Sequence, residues 1–507
     1  MLRRASPADV LFAAVVVALT AMAARVWWLS DIVPGQDYPQ FLVFVRAARD
    51  IGDPASPFHG SYTAAPWFTP TGLPVHFTSF LSLLCGHSIE SAGKLLLTLQ
   101  NVGLVAASLL LLKTLGRPSS AVVLLFPLIH SVWTVVGGFA AYSTALPLVV
   151  LGWALTVRWV RRQDVRSGVA LATCLCVTLL WHGIAYSQLG LGFAVLWASW
   201  RAPSVRARLV GAVPALPSLV QYAVWMRSTF VEKVTHDDTS WLPPWSAADS
   251  LIDSFWASVP HSTARALFLA MLVGAGLSIC ATNLGATGPG ARLWRFRNPF
   301  LIVSAVYLAG YFVLPITMNG VAGFSNRFSY VAALAFVFAW NLPSDRVPRG
   351  VVLAAVISFS AWCLDDIAQR FHEFHAATRG ASELMNRLGA GESLYYYPGG
   401  DRGFSPAFGP GNKAMIELEQ FATARRGGLP NSSFAGYGYT YVRYVNGQNP
   451  MPGLYGPPAW SQEMTRFEYV LVRSQDALAD PRFRLVESRV GWTLYGVCGS
   501  RRFPTCS

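Results

Sequence analysis

Three short stretches of this sequence hold residue types able to do chemistry. In "DIVPGQDYPQF", Asp37 stands with Tyr38 and Gln40 just past the first apolar run, and Asp31 lies six residues earlier. In "GFSNRFSYVAALAFVFAW", Arg327 opens an apolar segment. A charge there is costly unless it is hydrated or paired, and the planar guanidinium fork suits a phosphate. In "EKVTHDDTSWLPPW", His236, Asp237 and Asp238 are residue types that ligate a divalent cation. His182, in "WHGIAY" between two short apolar runs, is the fourth candidate.

Each residue also has a plainer role open to it. Asp37 can cap the helix that follows, with Pro39 tolerated in the first turn. Arg327 can snorkel to a membrane interface. Contiguous side chains rarely converge on one ion, so His236, Asp237 and Asp238 also fit a solvated acidic turn. His182 can be a hydrogen-bonded helix-end histidine. Trp241 and Trp245 can stack on a sugar or lipid, or anchor the chain at an interface.

The elements that must position these residues follow from composition. Of 507 residues, 53% are hydrophobic and only 13% charged, with mean hydropathy +0.40. Soluble domains carry about a quarter charged residues. Repeated apolar runs long enough to cross a bilayer therefore predict a polytopic α-helical membrane protein. The runs fall near 8–30, 94–114, 120–136, 139–158, 167–182, 185–200, 207–226, 264–283, 299–318, 328–342 and 350–367, about eleven spans. The net charge of +13 collects in alternate loops, such as "RWVRRQDVR", while the opposite loops hold the acids. By the positive-inside rule this sets the N-terminus inside and the C-terminus outside, and it removes the need for a nucleic-acid partner. The stretch Gly72–Gly86 is about half a span long and reads as an interfacial or re-entrant helix. The first run has signal-peptide features at Ala21 and Ala23, but Arg25, Trp27 and Trp28 favour a retained helix.

Two parts result. Residues 1–368 form a multi-span membrane domain with outer loops near 31–93 and 227–263. Residues 369–507 form an extracytoplasmic α+β domain. In it, "ESLYYYPGG" and "FEYVLVRS" predict buried strands, and "FRLVESRVGWTLYGV" predicts a strand pair turning at Arg489–Gly491. "NKAMIELEQFATARRGG" predicts a helix with Asn412 as cap and Gly427 as stop. The "GPGNK" stretch lacks P-loop spacing. Cys498 and Cys506, both placed outside, fit either a disulfide or two free thiols. "YPQFLVFVRAAR" predicts an amphipathic helix along the membrane surface.

A first transmembrane helix followed by a large outer loop with an early acid, an "RF" opening a late span, and an outer C-terminal domain together resemble the GT-C superfamily. The matching residues are Asp37 in "GQDYPQF" and Arg327 and Phe328 in "NRFSYVAAL", and the layout covers nearly the whole chain. Many members carry two adjacent acids in the first loop, where this chain has Asp37 followed by Tyr38. Many also have a proline in the helix after the arginine, which this chain lacks. The resemblance implies a membrane glycosyltransferase that moves a sugar from a polyprenyl-phosphate donor to an acceptor hydroxyl on a glycan, lipid or protein. It implies Asp37 as general base and Arg327 holding the lipid phosphate. Tyr38, Gln40, His182, Asp237 and Asp238 are the expected substrate contacts. A divalent cation is the candidate cofactor, with His236, Asp237 and Asp238 as its ligands, and a bacterial inner membrane is the expected location. Three other readings stand beside it: a transporter of lipid- or polyprenyl-linked substrates, a non-catalytic assembly protein of cell-envelope glycan synthesis, and a membrane acyltransferase through His130 or His182. A transporter would place charges near the bilayer midplane, whereas these spans keep theirs at the ends.

Overall fold

A computed structural model describes residues 7–131, 135, 137–229, 239–253, 255, 262–263, 265–266, 269–270, 298–318, 321–340, 346–399, 405–408, 414–431, 433, 435, 440–445, 451 and 457–505. Long apolar runs with few breakers become helices: α1 Pro7–Arg25, α2 Tyr38–Asp50, α3 Gly72–Leu84, α4 Ile89–Leu115, α5 Leu146–Arg162, α6 Val165–Trp181 and α7 Gly183–Ser199. They continue as α8 Val205–Ala212, α9 Leu216–Thr229, α10 Pro244–Asp253, α11 Pro299–Val313, α12 Phe324–Ala339, α13 Arg346–Met385 and α14 Glu419–Arg426. Among the described residues, five helices are long and apolar enough to cross a membrane: Pro7–Trp28, Ile89–Leu115, Ala140–Arg162, Val205–Arg227 and Arg349–Met385. The span expected at 264–283 falls largely outside the described residues. Exposed Leu209, Leu216, Leu219 and Val220 give the Val205–Arg227 stretch the apolar outer face that lipid solvates. The chain is an integral membrane protein.

By compactness the residues divide into two units. The first comprises Met1–Val26, Thr98–Trp133 and Tyr142–Ile367. Its core is aromatic: Trp153 of α5 meets Phe300 and Tyr307 of α11 and Phe338 of α12, with ring centroids 5.8, 6.1 and 6.3 Å away. Ser304 donates to the Ala332 carbonyl at 2.9 Å, and Phe328 packs on Tyr307 at 6.2 Å. These contacts fix the rotation of α12, and with it Arg327 in the first turn. The run expected as a span at 120–136 opens as a 3₁₀ segment over Ser119–Leu128 with Pro127 inside it.

The second unit comprises Trp27–Leu97, Thr134–Ala141 and Ala368–Ser507. The strands are β1 Tyr62–Ala64, β2 Leu394–Tyr396, β3 Val442–Tyr444, β4 Tyr469–Arg473, β5 Phe483–Arg489 and β6 Trp492–Val497. A four-stranded sheet runs β2-β4-β6-β5, with β2 parallel to β4 and the other pairs antiparallel. β1 pairs with β3, so part of the first loop shares a sheet with the C-terminal region. Trp492 donates to the Ala377 carbonyl at 2.8 Å, which docks α13 on the sheet. That helix runs unbroken to Met385, past the expected end at 367, because charged residues after Asp365 do not break a helix that rests on protein rather than lipid.

Two expectations change here. α2 does not lie with its apolar face on a membrane surface. Residues from Tyr38 to Val45 are buried, because β1, β3, α3 and α14 pack around them. The helix expected over "NKAMIELEQFATARRGG" begins only at Glu419 and stops at Gly427 with φ +84°, and the expected cap Asn412 lies outside the described residues.

Candidate functional site

Asp37 occupies the N-cap position of α2, yet its side chain makes no cap hydrogen bond. The plainer capping role is therefore not the one it plays in this structure. The loop is held by backbone instead. Asp37 N–H donates to the Gly137 carbonyl at 3.2 Å, and Gly35 N–H donates to the Ala414 carbonyl at 3.3 Å. Gly35 and Gly138 meet back to back with φ +137° and +64°. A Cβ on Gly35 would stand 2.6 Å from Gly138 Cα, and one on Gly138 would stand 2.8 Å from Tyr38 N. Only glycine permits that approach.

The two residues after Asp37 point into protein. Tyr38 is 2% exposed, its ring tilted against that of Phe421 at 6.3 Å, and its hydroxyl lies against Gly93. Gln40 is 1% exposed and donates to Ser433 Oγ at 3.0 Å, while Gln420 donates to Gln40 Oε1 at 3.1 Å. This buried chain of amides ties α2 to α14. Burial of this kind gives Tyr38 and Gln40 the work of holding the loop. Glu417, in the turn before α14, is buried in the same neighbourhood and interacts electrostatically with Asp37. No spacing in the sequence connects positions 37 and 417, so pattern reading had no signal for it.

A second cluster gathers in the first unit around Tyr142. Arg327 is 5% exposed, so it is not an interfacial snorkelling arginine in this structure. Its guanidinium carbon stands 5.5 Å from the centre of the Tyr142 ring, a cation–π arrangement. The Tyr142 hydroxyl lies 3.0 Å from Gln188 Oε1 and 2.9 Å from the Arg327 carbonyl and shares its one proton between them. His182 packs edge-on against the same ring at 5.4 Å. It also accepts from Ala185 N–H at 3.5 Å as the cap of α7, so the helix-end role is real and does not exclude the other. Arg327 and His182 are thus brought together by a tyrosine that sequence reading passed over. Tyr142→Phe leaves the buried Gln188 Oε1 without this donor and should cost about 1–3 kcal/mol of stability. A thermal melt of the variant checks it.

His236, Asp237 and Asp238 lie outside the described residues. Among the described residues, no group of three or more His, Cys, Asp or Glu could hold a metal ion. Asp31 N–H meets His375 Nδ1 at 3.3 Å at the exit of the first helix. Cys498 is disulfide-bonded, and Cys506 lies outside the described residues.

No family model matches this sequence, and no curated protein matches it. Solved structures do. The chain is similar to ArnT from Cupriavidus metallidurans bound to undecaprenyl phosphate, with 12% identity, TM-score 0.53, and 95% of this chain and 97% of that one covered. The apo form of the same protein matches at 11% identity and TM-score 0.53, over 96% and 97% of the two chains. The arabinofuranosyltransferase AftD from Mycobacteria matches at 13% identity and TM-score 0.48, over 95% of this chain and 39% of that one. The chain shares its fold with these two ArnT structures nearly end to end.

Proposed function

We propose that this chain is a GT-C-type glycosyltransferase. It moves a sugar from a polyprenyl-phosphate donor to an acceptor hydroxyl on a glycan, lipid or protein. The observation that carries this reading is the fold shared over the full length with a protein solved with undecaprenyl phosphate. The buried arginine on α12, held over Tyr142, supports a role for Arg327 as the cation that meets the leaving lipid phosphate. The leaving phosphate is already a stable anion, so the reaction needs little acid assistance. It needs a base for the acceptor proton, and Asp37 is that base. The alternation of basic and acidic loops supports about eleven spans with the N-terminus in the cytoplasm. Residues 369–507 and the first loop then face the outside of a bacterial inner membrane, where polyprenyl-linked sugars are consumed.

Purified protein in liposomes should release undecaprenyl phosphate from undecaprenyl-phosphate sugars and label an acceptor. Arg327→Ala should weaken donor binding by about 10²-fold, as for removing one partner of a buried charge pair. Arg327→Lys keeps the charge but loses the two-pronged geometry, so it should recover only part of that binding. If a panel of donors shows neither binding nor turnover, the glycosyltransferase reading fails. Donor crossing the bilayer without transfer would make the protein a transporter.

A further inference from the structure

Glu417 lies in the turn that leads into α14, 8% exposed, and its Oε2 has no hydrogen-bond partner among the described residues. That turn is tied to the loop bearing Asp37 by the Gly35–Ala414 backbone bond. The helix after it packs on α2 through the Gln40–Gln420 bond and the Tyr38–Phe421 rings. A carboxyl in this position cannot shed its charge into water, and a second carboxylate stands in the opposing loop. Burial first, then the charges of Asp37 and Glu419, hold the Glu417 carboxyl well above the usual carboxylate range. Of the cations on the packed elements, Arg473 reaches Met415 Sδ at 3.7 Å, Arg46 pairs with Asp50, and Arg425 pairs with Glu90 at 2.6 Å.

We propose that Glu417 is a positioning residue for Asp37. The two carboxyls form a pair that holds one proton and one negative charge during turnover, with the charge on Asp37. Glu417 keeps the proton, so Asp37 alone stays ionised to accept the acceptor's hydroxyl proton. Loss of the pair's last proton sets a second charge, on the buried Glu417, against that of half-buried Asp37, and turnover falls on the alkaline side. This inference rests on the reading of Asp37 as the base.

The pH–rate profile tests it. Wild type should fall about tenfold per pH unit on an alkaline limb that reports a single proton. Glu417→Gln, which cannot ionise, should lose that limb. Glu419→Gln removes a like charge near Glu417, so it should move the limb to lower pH without abolishing it. A purely structural Glu417 would scale the rate at every pH and leave the limb in place, and that result overturns the proposal. A second readout does not depend on activity. Glu417 binds its proton more tightly folded than unfolded, so wild-type stability is full below the unfolded value of about 4.3 and is lost as pH rises toward the folded value. The Tm of Glu417→Gln minus that of wild type should therefore widen with pH above about 4.3 and then level off. A gap that stays flat overturns the carboxyl pair whether or not sugar is transferred. A widening gap in a protein that transfers no sugar keeps the tightly held proton on Glu417 and discards the glycosyltransferase reading.

Discussion

Asp37→Asn should lower sugar transfer by about 10²–10⁴-fold, the usual loss when a positioned general base is removed. Donor binding should stay near wild type, because the lipid phosphate is assigned to Arg327 and not to the carboxylate. The structure makes this variant unusually clean to interpret. A capping aspartate would lose about 0.5–2 kcal/mol on replacement by alanine. Asp37 makes no cap bond, so Asp37→Ala should cost less than a true cap while losing the same activity. Turnover of undecaprenyl-phosphate sugar, donor affinity and Tm on the same three proteins separate the outcomes. Transfer that survives in Asp37→Asn would remove the residue from the chemistry and require another base.

What the sequence made legible, and what it hid, divides by the range of the interaction. The apolar runs that became α4, α5 and α13 are local signals of bilayer length, and the turn at Arg489–Gly491 is a local signal for the hairpin of β5 and β6. The short Gly72–Gly86 run became a short helix for the same reason. Where the outcome depended on what packs against a segment, pattern reading fell short. α2 has an amphipathic sequence that fits a membrane surface, but a sheet and α14 cover it. The 3₁₀ stretch over Ser119–Leu128 is as apolar as a span, and hydropathy does not register how tightly the backbone coils. The candidate site shows the same division. Asp37 and Arg327 stood out as charges in an apolar chain. Tyr142 and Glu417 matter through partners distant in sequence, Arg327 for one and Asp37 for the other.

Gly138→Ala should damage the protein far more than a methyl group added at a glycine with open space around it. The residue sits at φ +64°, where an alanine pays about 1–2 kcal/mol of strain. Its new Cβ would stand 2.8 Å from both Tyr38 N and the Gly35 carbonyl carbon, which are backbone atoms with no rotamer to escape into. Overpacking of that kind adds about 1–3 kcal/mol. The strain can be relieved only by moving the loop that carries Asp37, since the Asp37 N–H is bonded to the neighbouring Gly137 carbonyl. Activity should therefore fall together with Tm, although no polar group has been touched. Gly86→Ala is the control: φ +61° gives it the same kind of strain, but a Cβ there meets nothing within 4 Å. Its loss should be limited to the strain, with transfer retained once the protein is folded. If Gly138→Ala melts and turns over like Gly86→Ala, the back-to-back glycines are not what fixes the carboxylate, and the loop must be held by the amide chain through Gln40 and Gln420 alone.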